Sequence, residues 1–157
     1  TIKRIENPEN DLYFVFTVQE EVGLRGAKTS AYKIEPDIGI ALDVTGSGDT
    51  PKAKAFAVAL NQGTAIKVKD NSILTHPKLR QHMIDIAKQN RIPYQIEVLE
   101  FGGTDSGAIH LTKEGIPTGA ISIPTRYVHS TVEMASKNDI LNSINLLIKL
   151  LESHIEI

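Results

Sequence analysis

Short apolar runs alternate with amphipathic helical patterns along this chain, and that alternation limits the folds open to it. Four runs read as buried strands: LYFVFTV at 12–18, IGIALDV at 38–44, QIEVLEF at 95–101 and TGAISIP at 118–124. The first two are nearly continuous in apolar residues, as expected when helices cover both faces of a sheet. A fifth run, AIKVKD at 65–70, alternates Ile66 and Val68 with Lys67 and Lys69. That alternation predicts an edge or half-exposed strand.

Helical patterns fill the gaps. HPKLRQHMIDIAKQNR places Leu79, Met83, Ile86 and Ala87 on one face, with Thr75 as cap and Pro77 in the first turn. SKNDILNSINLLIKLLESH places Ile140, Leu141, Ile144, Leu147, Ile148 and Leu151 on one stripe. Ser136 and Asp139 there have the spacing of a capping box. Further helices are expected from Arg25 to Tyr32 and from near Asp105, the latter carrying Ala108, Ile109 and Leu111. The polar stretches 46–51 and 61–64 read as surface loops. The expected fold is α/β: a mainly parallel, mixed sheet with helices on both faces. A length of 157 residues suits a single core.

Polar residues cluster after the strands. Gln19, Glu20 and Glu21 follow the first. Asp43 closes the second, GGTDSG with Asp105 follows 95–101, and TRYVHSTVE with His129 follows 118–124. In open parallel sheets, ligands bind at the carboxyl edge. Carboxylates gathered there need a cation, and a divalent metal bound by Glu, Asp and His is the simplest one. Of two adjacent acids, one can then hold metal while the other moves a proton.

Each feature also has a plainer explanation. A Glu-Glu pair is commonly a solvated turn, and an Asp after a strand is commonly a turn or cap residue. GGTDSG reads as a tight turn with Thr104 or Asp105 capping a helix. His76, His82 and His154 lie on or near surface elements, and His110 suits packing. The shared placement at strand ends is what favours a metal site.

Bulk composition narrows the classes further. A formal net charge of −2 argues against a broad electrostatic grip on nucleic acid or anionic membrane. The absence of cysteine removes disulfides and thiolate metal sites, and it fits a cytoplasmic protein. No apolar run is long enough to span a bilayer, and the N-terminus lacks a signal-peptide pattern.

The segments FTVQEEVGLRGA, ALDVT and FGGTDSGAIHLTKEGIPTGAISIPTRYVHSTVE, with the closing helix, resemble the co-catalytic metallo-aminopeptidases of the glutamyl aminopeptidase and TET type. The resemblance covers nearly the whole chain in order. It implies a zinc-peptidase-like fold and removal of N-terminal residues from peptides through a hydroxide bridging two divalent metals, zinc or cobalt. It implies Glu20 as general base, Glu21 and His129 as ligands of one metal, and Asp43 as ligand of the other. Gly102, Gly103, Thr104 and Asp105 resemble the segment lining the substrate pocket. The family forms large homo-oligomers, typically dodecamers.

The family pattern also holds a His-x-Asp motif, a metal-bridging Asp and a small inserted domain. None of these is in this sequence. Residues 1–157 are therefore expected to be the C-terminal portion of one metallopeptidase catalytic domain, incomplete at its N-terminal side. The alternatives are a catalytically silent fragment serving assembly, or a related metal-dependent deacylase. A glucanase would instead need two carboxylates flanking a sugar bond.

Overall fold

A computed structural model describes residues 1–53 and 56–157. After a short 3₁₀ turn at Ile2–Arg4, the elements run α1 (Arg25–Ile34), β1 (Gly39–Gly46), β2 (Thr64–Lys69), α2 (Pro77–Gln89), β3 (Tyr94–Val98), α3 (Ser106–Ile109), β4 (Thr118–Arg126), β5 (Met134–Ala135) and α4 (Lys137–Leu151). The sheet order is β1-β4-β2-β3, with β5 paired to the end of β4. β1 runs parallel to β4, and β2 runs parallel to β3, but β2 meets β4 antiparallel. The mixed α/β sheet expected from the sequence is therefore present.

Helices lie on both faces because alternate residues of each strand point to opposite sides. A Cβ added at Gly39 would meet Ile109 of α3, whereas one added at Gly119 would meet Leu79 and Met83 of α2. Gly39 pairs with Thr118, the neighbour of Gly119, so the two helices flank opposite faces. The α2/α4 face carries the main apolar core, in which Ile66, Ile121, Leu79, Met83, Leu146 and Leu150 are fully buried. Each such side chain stabilises the fold by roughly 1.5–3 kcal/mol relative to exposure. The α3 face is more polar. Ala41, Asp43 and Thr45 share it with Ser122 and Lys67.

Several sequence expectations need correction. Residues 12–18 form no strand. Tyr13, Phe14, Val15, Phe16 and Val18 are all exposed, and no backbone group of 12–16 bonds to another backbone among the described residues. The run has strand composition, but among the described residues no strand lies beside it to complete a ladder. The 65–70 strand is interior, and Lys67 is completely buried. Alternation suggested exposure there, but Lys67 is instead neutralised by Glu97 at 2.7 Å and faces Asp70 at 3.4 Å. The 61–64 stretch is a surface loop only in its first half: Asn61 and Gln62 are exposed, whereas Gly63 and Thr64 are buried and Thr64 opens β2.

The helix details shift as well. His76, not Thr75, is the N-cap of α2, while Pro77 opens its first turn as expected. Ser136 does cap α4, accepting from the Asn138 N–H. Asp139 turns away from that cap, is fully buried, and accepts from the backbone N–H groups of Asn61 and Gly63 at 2.6 and 2.8 Å. The buried stripe of α4 is as expected at Leu147 and Ile148, but Leu146 and Leu150 are buried as well, while Ile140 and Leu141 are exposed. α3 is a single turn, and Leu111 lies beyond it, exposed.

Candidate active site

The carboxyl ends of β1 and β4 lie at one rim because those strands are parallel. β3 runs the opposite way, since β2 is parallel to β3 and antiparallel to β4. Asp105 therefore reaches the site through the 99–105 connection, not by strand direction.

Glu20 and Glu21 sit on a tight turn. Gln19 and Leu24 adopt left-handed backbone conformations, and the Glu20 carbonyl accepts from the Gly23 and Leu24 N–H groups. The Gly26 N–H bonds to the Val18 carbonyl at 2.9 Å, fastening the turn to the start of α1. A Cβ at Gly26 would fall 2.5 Å from the Val18 backbone nitrogen, so only glycine permits this closure.

His129 is held in a comparably strained turn. Its φ is 62°, that of Tyr127 is 58°, and its N–H donates to Glu133 Oε1 at 2.6 Å. The turn presents the imidazole to the first loop: His129 Nε2 lies 3.1 Å from Glu21 Oε1, across 108 positions of sequence. Arg126, at the end of β4, forms a two-point contact with Asp49 at 3.0 and 2.7 Å. The guanidinium holds the Asp49 carboxyl well below the usual carboxylate range. This pair ties the loop after β1 to the strand leading to His129.

The electrostatics bind the remaining acids into one group. Burial pushes the Glu20 carboxyl above its ordinary value, and the charges of Asp43, Glu21 and Asp105 push it further, opposed by His129. Asp43 is also raised, chiefly by burial. Its Oδ1 accepts from the Val44 N–H at 2.7 Å, and Lys67 opposes the rise. Asp105 is anchored by Thr17, whose hydroxyl donates to Oδ2 at 2.6 Å, while its buried Oδ1 has no partner among the described residues.

Glu20, Glu21, Asp43, Asp105 and His129 thus occupy one electrostatic neighbourhood. The donor set suits a hard or borderline divalent cation: carboxylate oxygens, one imidazole, and excess negative charge. Among the described residues, however, no three His, Asp or Glu side chains converge as a ready-made metal cage. Gly102 and Gly103 pack the connection against Asn71 and Ser72, and Thr104 is buried. Three other histidines are engaged elsewhere: His82 with Ser153, His110 with the Ser106 carbonyl, and His154 facing Glu9, while His76 caps α2.

Sequence reasoning missed the supports of this site. Thr17 lies inside what reads as a strand, and nothing local marks it as the partner of Asp105. Lys67 and Glu97 lie on separate strands. Glu97 Oε1 also accepts from Thr45 at 2.7 Å, two residues beyond Asp43. A lysine in an apolar run was the one available signal of this buried pair.

Residues 1–146 match the model of the M42 glutamyl aminopeptidase family. The chain belongs to that family. A putative aminopeptidase of Acetivibrio thermocellus is 59% identical over 148 residues, covering 94% of this chain and 45% of the relative. The structure of aminopeptidase APDkam598 from Desulfurococcus kamchatkensis superposes with a TM-score of 0.93 at 43% identity, covering 96% of this chain and 44% of that one. The Pyrococcus horikoshii TET1 peptidase, described as assembling into a tetrahedron or a large octahedral shell, matches with a TM-score of 0.75 at 36% identity. That match covers 87% of this chain and 39% of the peptidase. This M42-family chain therefore spans less than half the length of these relatives.

Proposed function

We propose that this chain carries part of the active centre of a metal-dependent aminopeptidase that removes N-terminal residues from peptides. The observation that carries the reading is the meeting of Glu21 and His129 at 3.1 Å beside a carboxylate, Glu20, whose proton affinity is raised. Glu21 and His129 would hold one divalent ion, zinc or cobalt, and Asp43 would contribute to a second. When bound, such ions supply carbonyl polarisation and an acidified water.

The chain's own groups divide the remaining work. A carboxylate with raised proton affinity is a better base than an ordinary one, so Glu20 takes the proton from the attacking water. It later returns that proton to the departing amine. Asp105, fixed by Thr17, keeps the neighbourhood negative and favours the protonated form of Glu20. Gly102, Gly103 and Thr104, which lead into Asp105, are the candidate wall on the substrate side. The whole protein is proposed to act as a homo-oligomer, in line with the assembly described for the TET1 peptidase.

Glu20→Gln tests the reading. In protein with a complete site, it should abolish turnover and keep metal; retained turnover with lost metal would overturn the assignment of roles. A second reading has an observation of its own. No three donors converge among the described residues, which suits a silent assembly module. Metal analysis of the purified chain separates the two: two equivalents favour the peptidase centre, and one or none favours the module.

A further inference from the structure

β3 closes the side of the sheet opposite β1, and among the described residues it pairs only with β2. Its backbone divides by parity. The Pro93 carbonyl accepts from the Thr64 N–H, and the Leu99 N–H donates to the Lys69 carbonyl, both partners on β2. The odd positions of β3 therefore face β2, and the N–H and C=O groups of Tyr94, Ile96 and Val98 point away from the sheet. The register shift in this pair adds its extra residue to β2, between Lys67 and Lys69, so β3 itself runs unbroken.

Edge strands are usually guarded by charge, proline or a bulge. The outward positions of β3 carry none of these. Ile96 pairs with Ile66 of the α2/α4 core, so Tyr94, Ile96 and Val98 share that face. α2 and α4 pack over β2 and β4, and Ile96 and Val98 are left 40% and 50% exposed. On the other face, Gln95 is bonded to Ala59 and Gly63, and Glu97 is neutralised by Lys67. No free charge guards the edge from either face.

The edge is also complementary to itself. Turned about a two-fold axis through Ile96, the strand YQIEV sets Ile96 against its own copy, Tyr94 against Val98, and Gln95 against Glu97. In that register the outward groups of 94, 96 and 98 meet as hydrogen-bonded pairs, and 95 and 97 meet as non-hydrogen-bonded pairs, the alternation an antiparallel ladder requires. Apolar residues oppose apolar ones, and no like charges face each other. A slip of one residue would set outward groups against inward ones.

We propose that β3 is the contact surface for a second copy of this chain, joined antiparallel about Ile96 into one continuous sheet. Tyr94, Ile96 and Val98 of both copies then form a single apolar strip on the α2 side. The contact is isologous, because the same five residues serve both copies. It is small, so association depends on concentration. The proposal does not depend on the metal reading.

The test is sedimentation with amide hydrogen exchange on the 157-residue chain. Concentration is varied over about a hundredfold range, since mass action sets the dimer fraction. A dimer should form as concentration rises, and exchange at the Tyr94, Ile96 and Val98 amides should slow with it by about tenfold or more. Ile96→Lys and Ile96→Glu each place like charges face to face across the axis, so each alone should be monomeric. Mixed in equal amounts they should associate, because the two 96 positions then carry opposite charges. Leu141→Lys, at an exposed apolar position on α4, should leave the dimer intact. A chain monomeric throughout, a dimer protected away from β3 or lost with Leu141→Lys, or folded charge variants that do not associate when mixed would each overturn the proposal. The exchange pattern of the unsubstituted chain decides the matter if a charged variant does not fold. None of these readouts involves metal or turnover.

Discussion

His129 Nε2 and Glu21 Oε1 stand 3.1 Å apart, although 108 positions separate them in sequence. Both side chains are about 70% exposed, so their contact contributes little to folding. Two turns with left-handed residues nevertheless hold them together, as the proposed metal site requires.

Glu20 should be separable from its neighbour by function. Glu20→Gln should lower turnover by about 10²–10⁴-fold in protein with a complete site, the range for loss of a general base. Metal content should be unchanged. Steady-state kinetics together with metal analysis check both parts.

The raised carboxyls predict a pH dependence for the metal-free chain. A group whose proton affinity is higher folded than unfolded contributes stability at low pH and loses it as pH rises through the folded value. Glu20 and Asp43 rise above ordinary values of 4.5 and 3.8. Their combined effect should weaken the fold as pH climbs from the ordinary carboxylate range through the raised values. Either Glu20→Gln or Asp43→Asn should flatten that decline in chemical denaturation.

The buried Lys67–Glu97 pair should be costly to break from one side. Lys67→Met leaves the Glu97 and Asp70 carboxylates buried without their cation, at about 3–5 kcal/mol. Adding Glu97→Gln should recover part of the loss. Urea unfolding of the single and double variants measures the difference.

Gly63 should tolerate no side chain. Its φ is 104°, and an added Cβ would lie 2.3 Å from the Pro93 backbone. The N–H also donates to buried Asp139 at 2.8 Å. Gly63→Ala should therefore cost more than the roughly 1 kcal/mol typical of point substitutions, read as a lowered unfolding midpoint.

Much of this was legible in the sequence, and the exceptions share a cause. β1, β3 and β4 lie within two residues of the expected starts, and the buried face of α2 is the predicted one. Local pattern suffices when an element's partners lie within the chain. Residues 12–18 read as a strand because composition cannot show whether a neighbour is present. Lys67 read as part of a half-exposed strand and Asp139 as a capping-box residue because their partners, Glu97 and the Asn61–Gly63 backbone, come from distant segments. In the site, the residue types were visible, and so was the placement of Asp43 and His129 on and after two parallel strands. The antiparallel join of β2 to β4, which takes β3 away from the rim, was not.

Zinc titration of the purified chain and of Glu21→Ala, His129→Ala and their double variant tests the central claim most directly. Each single variant should weaken the same binding event by at least the 10–100-fold typical of disturbing a ligand's support, and the double variant should lose little more. Asp43→Ala should leave that event in place. Losses that fall on different binding events, or that add in full in the double variant, would contradict a metal shared by Glu21 and His129.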